Sequence, residues 1–318
     1  MSTELDLYPT DFIFTFVVPV ICFYGFITNI INAIIFGNKK LRSNFSFNCL
    51  FIISCAYAWY FAFGITSFVG NCYSFCDFAY TYTANLYYKW GFGVLKLCSP
   101  ILILLFQILV SLQRFLIIQN ITKFKIPNIY ICFGVSLFLS LLYGFQFASQ
   151  DIATYTITNG NMTIEAAYIT NNNPVATKIN LVTSIIRSIV LVLIMFLINV
   201  FSLIAFRRSV EKKKKLKISA KSDDSQSNEK KASRNFTRMV IIMGFVHFAA
   251  SIPNMIYFIL QNVLGYTQFM YTYLNVGNTI TLVLNCSDFL VYILFNKVYK
   301  QTLIENVTNI SKKICFKS

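Results

Sequence analysis

Apolar residues dominate seven stretches of this chain, and each is about as long as a helix needs to cross a bilayer. At a rise of 1.5 Å per residue, about 20 residues span a hydrocarbon core of roughly 30 Å. The pattern predicts helices over residues 12–36, 46–69, 92–119, 128–149, 178–206, 238–261 and 269–295. The second and seventh are the least uniform, because polar residues interrupt them. Polar, glycine- or proline-bearing segments divide the runs: Gly37-Asn-Lys-Lys-Leu-Arg-Ser43 after the first, Asn171-Asn-Asn-Pro174 before the fifth and Gly265-Tyr-Thr before the seventh. The predicted fold is all-α, a seven-transmembrane helix bundle. Its membrane domain covers residues 12–296, between an N-terminal segment of residues 1–11 and a tail of residues 297–318.

Composition agrees with a membrane domain. Hydrophobic residues make up 56% of the chain and charged residues 12%, whereas a soluble domain carries about 25% charged residues. The net charge of +15 would suit nucleic acid if it were spread along the chain, but it is not. The segments 37–45, 114–127, 207–238 and 297–318 hold 23 of the 27 lysines and arginines. The opposite segments carry Glu4, Asp6, Asp11, Asp77, Asp151 and Glu165. The positive-inside rule then predicts an extracellular N-terminus and a cytoplasmic C-terminus. The expected partner is the lipid bilayer of the plasma membrane, with no nucleic acid. No short apolar segment with a small-residue cleavage site precedes the first run, so that run is expected to act as a signal anchor. Asn161-Met-Thr163 falls in an outer loop in this topology and is the expected glycosylation site. The basic segment 207–237 is predicted to be a polar cytoplasmic loop, drawn to anionic lipid or to a cytosolic transducer and tunable by phosphorylation at Ser225, Ser227 or Ser233.

Catalytic sets are missing from the residue pattern. The nine cysteines show no zinc-like spacing, and the one histidine, His247, leaves serine or cysteine nucleophiles without a second partner. No glycine loop suits a phosphate. Neither an enzyme nor a cofactor is expected. Asp288 is the only carboxylate deep in an apolar run, and there is no internal repeat. A proton-coupled transporter would need more such acids and often a repeat, so a seven-helix transporter or channel stands as the alternative.

Several polar residues sit where hydrocarbon penalises them. Gln113-Arg114-Phe115 closes the third run. Asn285-Cys-Ser-Asp288-Phe-Leu-Val-Tyr292 lies late in the seventh, followed by Phe295-Asn-Lys-Val-Tyr-Lys300. Asn29 lies in the first run, and Pro253 lies in the sixth within Ala249-Ala-Ser-Ile-Pro253. Over almost the whole chain, these residues and the topology resemble the rhodopsin-like G-protein-coupled receptors. The resemblance implies that Arg114 switches partners on activation and meets a heterotrimeric G protein. It also implies that Asp288 and Tyr292 belong to the same switch, that Pro253 kinks the sixth helix, and that a short amphipathic eighth helix begins near Lys297.

The departures from the family pattern are specific. Gln113 replaces an acid, Phe289 a proline and Ser251 a tryptophan. The second helix has no acid at Ala56 or Tyr57. The loop 150–177 has no cysteine for the usual bond to the third helix. Cys72 and Cys76 are a candidate disulfide pair, with two free thiols or another pairing as the alternatives. This divergence resembles nematode serpentine chemoreceptors and invertebrate peptide receptors. An extracellular small molecule or peptide is the implied ligand.

Lys96 stands eighteen residues before Arg114, five turns of an ideal helix, and Arg187 lies about nine residues into the fifth run. The expectation is that Lys96 and Arg187 face one outer pocket and bind an acidic ligand group. The competing expectation is that both snorkel to the interface or pair with Asp77, Asp151 or Glu165.

Overall fold

Backbone N–H and C=O groups in hydrocarbon must bond within their own segment, so long apolar runs become helices. The computed structural model describes residues 12–42, 44–66, 81–121, 127–148, 151–159, 162–170, 174–217, 224–264 and 268–315. Helix α1 comprises Ile13–Val17 and Val18–Phe36, and α2 is Phe45–Ile65. Helix α3 joins Tyr82–Tyr87, Tyr88–Lys96 and Leu97–Ile118, and α4 is Ile129–Ala148. Helix α5 joins Pro174–Ile185, Ile186–Val190 and Leu191–Lys217, and α6 is Asp224–Leu264. Helix α7 comprises Gln268–Cys286 and Asp288–Phe295, and α8 is Lys297–Cys315. Six of these carry spans long and apolar enough to cross a membrane, and the apolar stretch Ile129–Gly144 of α4 is shorter.

Local chemistry sets several boundaries. The Asn44 side chain accepts from Ser46 N at 3.0 Å and caps α2. Pro174 opens α5 at the first helical position, where a missing N–H costs nothing. Asn296 is extended (φ −110°, ψ 97°), and its Oδ1 accepts from Tyr299 N at 3.1 Å; this breaks α7 from α8. Pro100 has no N–H to give to the carbonyl of Lys96, and the helix is π-helical over Tyr88–Lys96 up to that point.

Helix α2 packs on α1 and α3; α3 also meets α4 and α5; α6 packs on α5 and α7; and α7 and α8 return to α1. Val20, Phe23, Ile27 and Ile34 of α1 and Val135, Phe138 and Leu142 of α4 are exposed, while Asn29, Asn32, Gln107, Arg114, Asn199 and Asp288 are buried. This apolar-out, polar-in arrangement suits a bundle in lipid. The main apolar core lies toward the Arg114 end, around Phe36, Leu50, Ile53, Phe106, Met239 and Tyr292. At Gly277, a Cβ would lie 2.9 Å from Pro253 Cβ, so a residue without a side chain is what lets α7 reach the proline of α6.

Three features differ from the sequence expectation. Helix α3 starts ten residues earlier than position 92. The segment 207–237, expected to be a loop, is helical over 207–217 and again from Asp224, because each residue added to an existing helix costs far less than nucleating one. An antiparallel hairpin, β1 (Asp151–Asn159) and β2 (Met162–Thr170), occupies the segment between α4 and α5, paired from Asp151↔Thr170 to Asn159↔Met162.

Candidate functional site

At the end of the bundle away from the hairpin, Arg114 is 6% exposed. Its Nη2 donates to Ser46 Oγ at 2.9 Å, and the Ser46 hydroxyl donates to Gln113 Oε1. The guanidinium carbon lies 4.0 Å from the ring centroid of Phe236 on α6. Among the described residues no carboxylate pairs with Arg114; the one ion pair is His247–Asp288. Phe115 is half-buried beside it in sequence.

A second cluster joins four helices in the middle of the bundle. Tyr57 Oη lies 3.3 Å from His247 Nδ1 and donates to Asn285 Oδ1 at 3.3 Å, and Gln107 Nε2 donates to Tyr57 Oη at 3.4 Å. These are long hydrogen bonds, so the cluster is loosely tied. His247 Nε2 is 3.2 Å from Asp288 Oδ1. Asp288 is 1% exposed, and its two oxygens and Tyr292 Oη have no well-aligned hydrogen-bond partner. Tyr292 packs edge-on against Phe36 at 4.9 Å and tilted against Tyr299 at 5.4 Å. Asn29 bonds within α1, from Nδ2 to Gly25 O at 2.9 Å. Pro253 lies inside α6. Ser251 Oγ turns back to His247 O at 2.8 Å, and Thr281 of α7 donates to Ala250 O at 2.7 Å.

Above this cluster lies a cavity of about 810 Å³. It runs from Lys178 and Tyr257, near the hairpin end, to a floor at Gln107, His247 and Asn285. Its walls carry Tyr60 of α2, Pro100 of α3, Tyr143 of α4, Arg187 and Ser188 of α5, Ser251 and Asn254 of α6, and Asn278 and Thr281 of α7. Among the described residues two lysine or arginine side chains line it, and no aspartate or glutamate does. Arg187 lies in the π-helical turn Ile186–Val190, a type of bulge often found at functional positions. Its guanidinium carbon is 5.1 Å from the ring centroid of Tyr143.

The structure separates the two predicted cations. Arg187 lines the cavity; Lys96 does not. Lys96 is 5% exposed, and its ammonium lies 5.0 Å over the ring of Tyr60 and 3.8 Å from where a Cβ on Gly64 would stand. A count of eighteen residues places two side chains on one face only if the 3.6-residue period is unbroken. The π-helical turns ending at Lys96 and the proline at position 100 interrupt that period and turn the lysine toward α2. Lys178, unassigned from sequence, takes the second place in the wall. Tyr57, Ser46 and Phe236 were also missed, although Tyr57 had a signal: Ala56 and Tyr57 are the two positions where the family pattern leads one to look for an acid. Cys72, Cys76 and Asn161 lie outside the described residues.

Comparison with known proteins places this geometry. Squid rhodopsin has a similar structure, with a TM-score of 0.70 over 96% of this chain and 88% of that chain at 10% identity; at that identity the likeness speaks for the fold. No curated protein sequence matches the chain. Residues 14–309 match the family described as serpentine type 7TM GPCR chemoreceptor Srw. A rhodopsin-like bundle, a cavity bearing Arg187 and Lys178 and a buried arginine at the opposite end are thus joined in one chain, which belongs to the Srw family of seven-transmembrane G-protein-coupled chemoreceptors.

Proposed function

We propose that an extracellular small molecule, or the end of a peptide, enters the cavity and shifts the receptor toward a state in which the Arg114 end engages a heterotrimeric G protein. The observation that carries this reading is the lining of the cavity. A volume of about 810 Å³ falls in the range of small-molecule sites, roughly 300–1,000 Å³. Arg187 and Lys178, with no carboxylate among the described residues of the wall, favour a ligand with an acidic group held against Arg187 and Tyr143. Asn254, Asn278 and Ser251 supply uncharged donors and acceptors for the rest of the ligand.

The charge distribution orients the receptor in the plasma membrane. In this reading residues 1–11, the hairpin and Asn161 are extracellular, with Asn161 glycosylated and Cys72 and Cys76 the candidate disulfide pair. The basic ends of α5 and α6 and residues 297–318 are cytoplasmic. Arg114, Gln113, Phe115, Asn29, Asp288, Tyr292 and Pro253 form the switch between the two ends. The ligand needs only to bind the active state better; a coupling of about 1–3 kcal/mol between sites is typical.

A library of carboxylates and sulfonates, with their uncharged esters and amides, is screened in cells carrying a promiscuous G protein. Acids should activate and their neutral partners should not. Arg187→Ala should reduce the potency of an active acid at least about tenfold, in the range for losing one charged hydrogen bond. Arg114→Ala should bind that acid normally and signal weakly. Activation by the neutral partners, or an Arg187→Ala receptor of unchanged potency at equal surface level, would end the anion assignment. Normal signalling by Arg114→Ala would end the transducer assignment.

A further inference from the structure

A cation buried in a low-dielectric interior needs compensation. Arg114 finds little from ordinary partners: one hydrogen bond to the neutral Ser46, a neutral Gln113 beside it, and no bonded partner for its Nε. What it does have is the face of Phe236, at 4.0 Å. An aromatic face attracts a guanidinium electrostatically, more strongly once water is excluded, and Phe236 is itself buried. Phe236 sits on α6, the helix that carries Pro253. It also meets Phe47 of α2 edge-on at 5.0 Å, Phe47 stacks on Phe36 of α1 at 6.0 Å, and Phe36 meets Tyr292 of α7 at 4.9 Å. One arginine and four rings thereby tie together α3, α6, α2, α1 and α7.

We infer that Phe236 is the positioning residue that holds Arg114 and α6 in the resting arrangement, a cation–π clasp where no acidic partner is present. Outward movement of α6 lifts the ring from the guanidinium and frees Arg114. Because the clasp involves no carboxylate, it holds without any change of protonation. The inference rests on reading the Arg114 end as the transducer face.

The test replaces Phe236, in the full-length receptor, with mono-, di- and trifluorophenylalanine by nonsense suppression. Fluorine drains the negative face of the ring while nearly preserving its shape. Ligand-free signalling per receptor at the surface should rise step by step with fluorination. It should be highest in Phe236→Leu, about 2- to 30-fold above the parent, the population shift expected from losing one such contact. Phe236→Tyr keeps a ring face and should stay near the parent. A flat response across the fluorinated series overturns the clasp, because a purely space-filling role would give that result. Spin labels at the exposed positions Tyr130 and Arg234 of the purified receptor supply a second readout that needs no G protein. Phe236→Leu should broaden their separation toward longer distances. If neither the parent nor any variant signals, a broadened separation keeps the clasp and removes the coupling role, whereas an unchanged separation removes the clasp.

Discussion

Asn32 and Tyr299 show how much depends on single buried polar atoms in this bundle. Tyr299 Oη donates to Asn32 Oδ1 at 2.6 Å, and both residues are fully enclosed. Burial pushes the Tyr299 phenol well above its usual range, so it remains a donor at any physiological pH. Tyr299→Phe leaves the Asn32 oxygen without that partner, which costs about 1–3 kcal/mol. The detergent-solubilised receptor should melt several degrees lower, and an unchanged Tm would show that the bond contributes nothing. Residues of this kind differ in how well sequence reveals them. Arg114, Asp288 and Arg187 are charges inside apolar runs, and their cost in lipid is enough to point to an interior role. Phe236 is one of 33 phenylalanines; its importance comes only from the cation it faces across two helices. Lys96 was visible as a buried cation, but its direction depended on π-helical turns that hydrophobic periodicity does not record.

Among the helices, α6 and α7 come into close contact where Gly277 faces Pro253. Pro253 removes a backbone hydrogen bond from α6, and Gly277 lets α7 close over that position. Alanine in place of a helical glycine normally gains up to about 1 kcal/mol. Here the new Cβ would stand 2.9 Å from Pro253 Cβ, against a ring that has no rotamer to move away. Overpacking of about 1–3 kcal/mol should win. Gly277→Ala is therefore expected to lower Tm and surface expression, and Gly277→Val to lower both further. A stabilised Gly277→Ala receptor would mean that the two helices separate at little cost. The seven helices were legible because long apolar runs admit few other structures. Their ends were less so: α3, α5 and α6 all continue past the apolar residues into polar sequence, where helix propagation rather than hydropathy decides. The hairpin is signalled by β-favouring Thr, Tyr and Ile residues on both sides of the turn-type sequence Asn159-Gly160-Asn161, a pattern that hydropathy does not register.

Two ends of unlike character give the whole molecule its direction. The hairpin end carries the cavity, and the opposite end carries the basic segments. Tags fused to the two termini of the intact receptor should be reached differently by a membrane-impermeant reagent on living cells, the N-terminal tag at once and the C-terminal tag after permeabilisation. Equal access would contradict the assigned orientation. The length of α6 has a mechanical consequence. Asp224 precedes Pro253 by 29 positions in one continuous helix, about 44 Å of rigid rod at 1.5 Å per residue. Turning that rod by about 10° at the proline would sweep its far tip through roughly 8 Å, with the displacement growing in proportion to distance from the fulcrum. A shift of little more than an ångström among the side chains around the cavity can thus arrive at the opposite face magnified several times over.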